Sequence, residues 1–217
     1  MRSLRLPLSM LGLPMTLALA CSLTPVVGSD PDVPEGVLFQ DDFSDSSSGW
    51  DSVRTEEGMT DYDGGVYRIV VNQTQTDYWG NPGRDFVDVR VEVDASKGGG
   101  PDDNDYGLIC RYRDTKNFYA FLISSDGFYA ITKVVNGDYE LIGLDAMQPS
   151  DSIQQGGATN RIRGDCVGTT LTLYVNGDQL YSVEDASYPS GDVGLIAGTF
   201  DETGADIRFD NFSVREP

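Results

Sequence analysis

Two copies of Val-Asn-Gly-Asp, at 135–138 and 175–178, each stand between runs rich in Val, Tyr, Thr and Leu. Asn-Gly accepts the positive φ angles of a two-residue hairpin turn, so each copy ties together an antiparallel pair of strands. Ser125-Asp126-Gly127 joins 118–124 to 128–135 in the same way, and Asp114-Thr115-Lys116-Asn117 joins 107–113 to 118–124. Residues 107–144 therefore read as a four-strand meander and 160–183 as a further hairpin unit. From Val37 to Val214 short β-type runs recur between turn residues, and none of that stretch carries a helical apolar stripe. Strands of this number and spacing predict an all-β fold of two packed antiparallel sheets.

Alternation assigns the faces. In 170–176 Leu171, Leu173 and Val175 point one way while Thr172 and Tyr174 point the other. In 86–93 the inward set is Val87, Val89, Val91 and Val93, opposite Asp88, Arg90 and Glu92. One buried and one wet face is the pattern of a sandwich. The run 118–124 is apolar on both faces, so it is either central and covered or a source of aromatic side chains for a ligand surface. The stretches 44–65 and 144–159 lack strand character and read as long loops. Gly98-Gly99-Gly100 and Gly156-Gly157 read as flexible ones.

The first twenty residues have another character. Arg2 and Arg5 precede an apolar segment, 6–20, which ends in Leu17-Ala18-Leu19-Ala20-Cys21. A charged start, an apolar middle and small residues at the end make a secretory signal, too short to span a bilayer. The cysteine directly after the cut resembles the bacterial lipoprotein signal, which implies that Cys21 becomes a lipid-modified N-terminus. Residues 22–36, with three prolines, read as a tether. The expected organisation is a signal peptide at 1–20, a lipidated cysteine and tether at 21–36, and a β-sandwich domain at 37–217. The protein is then exported and held at the cell envelope, outside the cytoplasm. With Cys21 given to lipid, Cys110 and Cys166 remain, either as two separate thiols or, as an exported chain favours, as a disulfide.

Charge and composition narrow the function classes. The chain holds 15 basic and 35 acidic side chains, a net charge of −20. Such a surface repels phosphate backbones and anionic lipid heads, so nucleic acid is not an expected partner and the membrane is reached only through the anchor. Neutral molecules and cations remain. There is no histidine, which excludes Ser-His-Asp and Cys-His catalysis and histidine-ligated zinc.

The segments GLICRYRD from Gly107, NFYAFLISSDG, FYAITKVVNG, NRIRGDCVG, LTLYVNG, SGDVGLIAG and the closing FDNFSV resemble the concanavalin A-like lectin and glucanase jelly rolls. The nearer subset is the bacterial extracellular proteins of laminin-G and keto-disaccharide-hydrolase-like type. The resemblance runs over most of 38–215 and implies a two-sheet jelly roll. It leaves function open among lectins, adhesion domains, binding modules and glycosidases. The group's first and last strands lie side by side, which would bring Asp41 or Asp42 near Asp210, where some members bind a structural calcium.

Glucanases of this class carry three carboxylates on one strand face. Here Glu92 and Asp94 share a face, but Ala95, Ser96 and Lys97 stand where the third would fall. A solvated edge face is the simpler account, and no catalytic set emerges. The acidic runs 102–105 and 201–202 read as solvated turns. Sugar sites on sandwiches combine aromatic platforms with a few polar groups. Trp79 and Tyr78, in a region read as a loop, are candidates, together with a groove lined by Arg111, Tyr119 and Tyr129. The expected role is noncatalytic recognition of a glycan or envelope polymer. A glycoside hydrolase-like enzyme and a structural surface domain that binds another protein are the alternatives.

Overall fold

The computed structural model describes residues 35–217. The signal segment, Cys21 and nearly all of the expected tether lie outside the described residues. Seventeen strands run through the described chain: β1 (Val37–Asp41), β2 (Val53–Arg54), β3 (Gly58–Tyr62), β4 (Tyr67–Val71), β5 (Thr76–Gly80), β6 (Asp85–Phe86), β7 (Val89–Gly99), β8 (Asn104–Asp114), β9 (Asn117–Ile123), β10 (Phe128–Val135), β11 (Asp138–Leu141), β12 (Gln148–Pro149), β13 (Asn160–Val167), β14 (Thr170–Val175), β15 (Asp178–Glu184), β16 (Gly191–Thr199) and β17 (Ala205–Arg215). They form two antiparallel sheets. The nine-stranded sheet has the order β15-β14-β13-β7-β17-β4-β3-β2, with β1 beside the last residues of β17. The eight-stranded sheet has the order β11-β10-β9-β8-β16-β5, with β12 on β10 and β6 on β16.

The alternation predicted from sequence builds the layer between the sheets. Val91, Val93, Ile162, Leu171, Leu173 and Phe209 come from one side, and Tyr106, Leu108, Phe121, Ile131 and Leu195 from the other, all fully buried or nearly so. Cys110 of β8 is disulfide-bonded to Cys166 of β13, so the covalent bridge joins the two sheets. At one end of the core the Trp50 ring packs edge-on or tilted against Phe43, Tyr67 and Phe212. The hairpins form where Asn-Gly predicts them: Asn136 and Gly137 have φ of 54° and 94°, and Asn176 and Gly177 of 53° and 93°. Positive φ at both turn positions is what these two residue types tolerate.

Four expectations are corrected. The stretch 44–65 is not all loop, because β2 and β3 lie within it and Gly58 and Thr60 are buried. Gly98 and Gly99 end β7 instead of forming a loop. Val87 does not face inward: it is 63% exposed in the break between β6 and β7. Glu92 and Asp94 lie on a central strand, since β7 runs between β13 and β17, and not on an edge.

The outer faces of the two sheets differ in kind. On the nine-stranded sheet, Arg161 pairs with Glu92 at 2.9 Å and Asp94 at 3.3 Å, Arg90 with Asp165 at 3.5 Å, and Arg68 with Asp206 at 2.8 Å. This is a wet, ion-paired surface, and each pair adds little stability. On the eight-stranded sheet the outer face is apolar. Phe118, Ala120, Leu122, Val134, Ile109 and Ile196 form a second buried cluster, partly covered by Trp79, Tyr112 and Met147. That cluster explains why 118–124 is apolar on both sides.

Candidate functional site

The apolar outer face of the eight-stranded sheet carries the site. Register brings two acids to one point. Gly198 of β16 pairs with Asp77 of β5 on one side and with Asp105 of β8 on the other. A Cβ built at Gly198 would overlap Oδ1 of both aspartates, so the carboxylates converge over the space a side chain would fill. A hollow of about 360 Å³ opens here, lined by Asp77, Asp105, Thr132, Tyr139 and Gln75, with walls from Leu122, Leu141, Met147 and Phe200. A second hollow of about 300 Å³ shares Asp77 and is lined by Trp79, Tyr78, Tyr112 and Thr115. A third of about 350 Å³ shares Met147 and Phe200 and is rimmed by Asp103 and Asp126. The second and third hollows thus each border the central one.

Polar groups in the central hollow lack protein partners. Asp105 is 7% exposed, yet its Oδ1 accepts no hydrogen bond, and Thr132 Oγ1, on a residue 5% exposed, is also without one. Buried side-chain polar atoms are nearly always partnered, so two unpartnered ones beside a single hollow are exceptions that call for a partner from outside the protein, water or ligand. Burial pushes the Asp105 carboxyl well above the usual carboxylate range, and the Asp77 charge pushes it further. Burial raises Asp77 as well, partly offset by the Tyr139 hydroxyl turned toward it. Tyr139 in turn is held protonated by burial and by the charge of Asp77 and Asp105. Two acids this close in a partly dry pocket hold one proton between them more readily than two negative charges.

The residues expected from sequence to bind a ligand fall on different sides of the sheet. Trp79 lies on the outer face in β5, within a strand and not a loop, with its ring 5.5 Å from that of Phe118. Tyr78 packs toward the core, its hydroxyl 3.0 Å from Thr55 Oγ1, and also borders the second hollow. Arg111, Tyr119 and Tyr129 do not line a common groove. Arg111 is 2% exposed at a bulge in β8, where it donates to the carbonyls of Tyr188 at 2.9 Å and Val87 at 3.3 Å and pairs with Asp88. Tyr119 is buried in the core and donates to Asp185 Oδ1 at 2.6 Å. Tyr129 packs inward against Tyr181. In strands 118–124 and 128–135 both faces are apolar, so alternation alone does not tell which is interior.

The carboxylates expected to hold calcium are engaged by protein donors. Asp41 accepts from the Phe43 amide at 2.8 Å, Ser48 Oγ at 2.5 Å and Trp50 Nε1 at 2.9 Å. Asp42 caps Ser44, and Asp210 accepts from the Asn211 amide at 2.7 Å. Among the described residues no group of three or more His, Cys, Asp or Glu side chains is placed to hold a metal ion. Asp41 and Asp42 line a polar hollow of about 480 Å³ with Arg161 and Arg215. Among the described residues no helix is long and apolar enough to cross a membrane.

Asp77 and Asp105 were not visible as a pair in the sequence. They are far apart in the chain, and the strand between them, β16, comes later still. Asp105 sits in the acidic run 102–105, which reads as a turn, yet β8 begins at Asn104.

No protein-family model matches the chain, and no curated protein matches it. Solved structures do. A carbohydrate-binding module, CBM66, from Bacillus subtilis aligns over 77% of this chain and 96% of its own, with 19% identity and a TM-score of 0.55. A Bacillus subtilis protein described as having a galectin-like fold aligns over 83% of this chain and 96% of its own, with 13% identity and a TM-score of 0.61. The GH43 protein BlXynB from Bacillus licheniformis covers 82% of this chain with 39% of its own length, at 14% identity and a TM-score of 0.60. At these identities the likeness establishes the fold, a jelly-roll or galectin-like sandwich.

Proposed function

We propose that this protein is an exported lipoprotein, anchored through Cys21, whose β-sandwich binds saccharides without cleaving them, on the outer face of the eight-stranded sheet. One observation carries the reading. That face holds neighbouring hollows, one lined by the aromatic side chains Trp79 and Tyr112 and the next by buried polar atoms that no protein group satisfies, with Asp77 lining both. An apolar platform with a few fixed polar groups is what a sugar ring requires. The opposite sheet offers ion pairs and a polar hollow lined by charged side chains, without an aromatic platform of this kind. The carbohydrate-binding module and the GH43 protein among the structural neighbours support a saccharide as the ligand class.

Calorimetry against a panel of soluble oligosaccharides tests the binding. At least one should bind, and Trp79→Ala should weaken it about tenfold, or 1.4 kcal/mol, with unchanged circular dichroism. No binding by any member at high concentration would remove the proposal. Fatty-acid labelling in cells tests the anchor: label should appear in the wild type and be absent from Cys21→Ala.

Hydrolysis has one observation in its favour. Asp77 and Asp105 form the kind of pair in which one carboxyl stays protonated beside an ionised one, as glycoside cleavage needs. Reducing sugar released by the wild type and not by Asp105→Asn would favour that reading over simple binding.

A further inference from the structure

We infer that the Asp77–Asp105 pair is a subsite for a protonated amine, so that the saccharide bound on this face carries a free amino group. The inference rests on the binding role proposed above and adds the chemical class of the ligand. Acidic side chains alone do not make a site. Here the hydroxyl of Thr132, 5% exposed and without a partner, lines the same hollow from β10, independently of the acids. Asp105 Oδ1 accepts no hydrogen bond from a protein donor, and the two carboxylates converge above Gly198, filling the space a side chain there would take.

An ammonium group matches this set better than the alternatives. It brings three donors and a positive charge, enough for Asp77, Asp105 and Thr132 together. A neutral hydroxyl brings one donor and leaves the paired acids uncompensated. Calcium needs six to eight oxygen ligands, and the walls of Leu122, Leu141, Met147 and Phe200 do not supply them. The field has the same sign throughout: no lysine or arginine lines the hollow. The adjoining rim carries Asp103, whose carboxyl is raised by burial and then by Asp126, Asp201 and Glu202.

Binding should also move a proton. Burial and the mutual repulsion of Asp77 and Asp105 favour a proton on the pair when no cation faces it. An arriving ammonium compensates both charges, so the shared proton leaves to solvent while the amine keeps its own. No covalent bond changes.

The test is calorimetry at moderate salt, with a chelator present, on three probes of equal length: a β-linked glucosamine oligomer with free amines, its N-acetylated form, and the corresponding glucose oligomer. The free-amine probe should bind about tenfold or more tighter than the other two. Its apparent enthalpy should vary with the ionisation enthalpy of the buffer, reporting proton release. Asp105→Asn and Asp77→Asn should each abolish the preference, and Trp79→Ala should weaken all three probes alike. Equal affinity for the three probes would overturn the amine subsite and leave saccharide binding standing. A preference that survives in Asp105→Asn would overturn it too, as attraction of a cation to the acidic surface at large. No binding by any probe would overturn the amine subsite, and the wider oligosaccharide panel then decides whether saccharide binding stands.

Discussion

Asp77 and Asp105 meet over Gly198, each contributed by a strand that pairs with β16. Neither acid is near the other in sequence, and the glycine between them leaves room for both carboxylates. A methyl group there would collide with both carboxylates. Gly198→Ala should therefore reduce saccharide affinity at least tenfold and destabilise the fold by about 1–3 kcal/mol through overpacking. Calorimetry and urea denaturation measure the two effects.

The same pair sets a pH dependence. The carboxyls of Asp105 and Asp77 lie above the ordinary carboxylate range in the folded protein, chiefly through burial. The folded state therefore holds more protons than the unfolded one between the ordinary carboxylate range and the raised values. Stability contributed by this pair is full below that window and is lost as pH rises through it. Tyr139 from β11 faces the pair and stays protonated across the range. Asp105→Asn should gain about 1–2 kcal/mol at neutral pH, by removing a carboxyl whose ionisation burial and Asp77 oppose. It should gain little in acid. Thermal melts of both proteins across pH test this, and a stability difference independent of pH would contradict it.

Asp185 behaves oppositely. It accepts from Lys133 Nζ at 2.8 Å, Tyr119 at 2.6 Å and the Ser187 amide at 2.8 Å, and these donors outweigh burial to hold its carboxyl far below the usual range. Its contribution is present above the ordinary carboxylate range and disappears only as pH falls through the lowered value. Asp185 also raises the Tyr119 hydroxyl, which burial and this bond push up to about 12. Tyr119→Phe should cost about 1–2 kcal/mol near neutrality, read from the urea midpoint, and should leave saccharide binding unchanged because Tyr119 faces the core.

The Cys110–Cys166 bond ties β8 to β13 across a sequence separation of 56. In the chain-entropy view a loop of that size contributes about 4 kcal/mol. Replacing both cysteines by serine should lower stability by roughly that amount. Mass spectrometry of the unreduced protein should find neither thiol open to alkylation.

Much of the fold was legible in the sequence because it is local. Asn136-Gly137 and Asn176-Gly177 fix two hairpins by backbone preference, and Leu171, Leu173 and Val175 show their inward face by period. Strand β5 was not legible. Thr76-Asp77-Tyr78-Trp79-Gly80 holds an acid and runs into Gly80-Asn81-Pro82, which are turn residues, yet pairing with β16 makes it a strand. The site was harder still. Trp79 could be named from its residue type, but Asp77 and Asp105 acquire meaning only through the register of β16. Alternation does not separate the faces for Arg111, Tyr119 and Tyr129, because a bulge interrupts β8 at Arg111 and both faces of β9 and β10 are largely apolar. The deciding information, which face meets the other sheet, is long-range.

The central claim is that ligands bind on the outer face of the eight-stranded sheet. Titrating a bound oligosaccharide into isotopically labelled protein and following amide resonances tests it most directly. Shifts should cluster on the β5, β8 and β16 residues around Asp77, Trp79, Asp105 and Gly198, and extend to Thr132 and Tyr139. Shifts confined to the ion-paired face around Glu92, Asp94 and Arg161, with the resonances around Gly198 unmoved, would contradict the account.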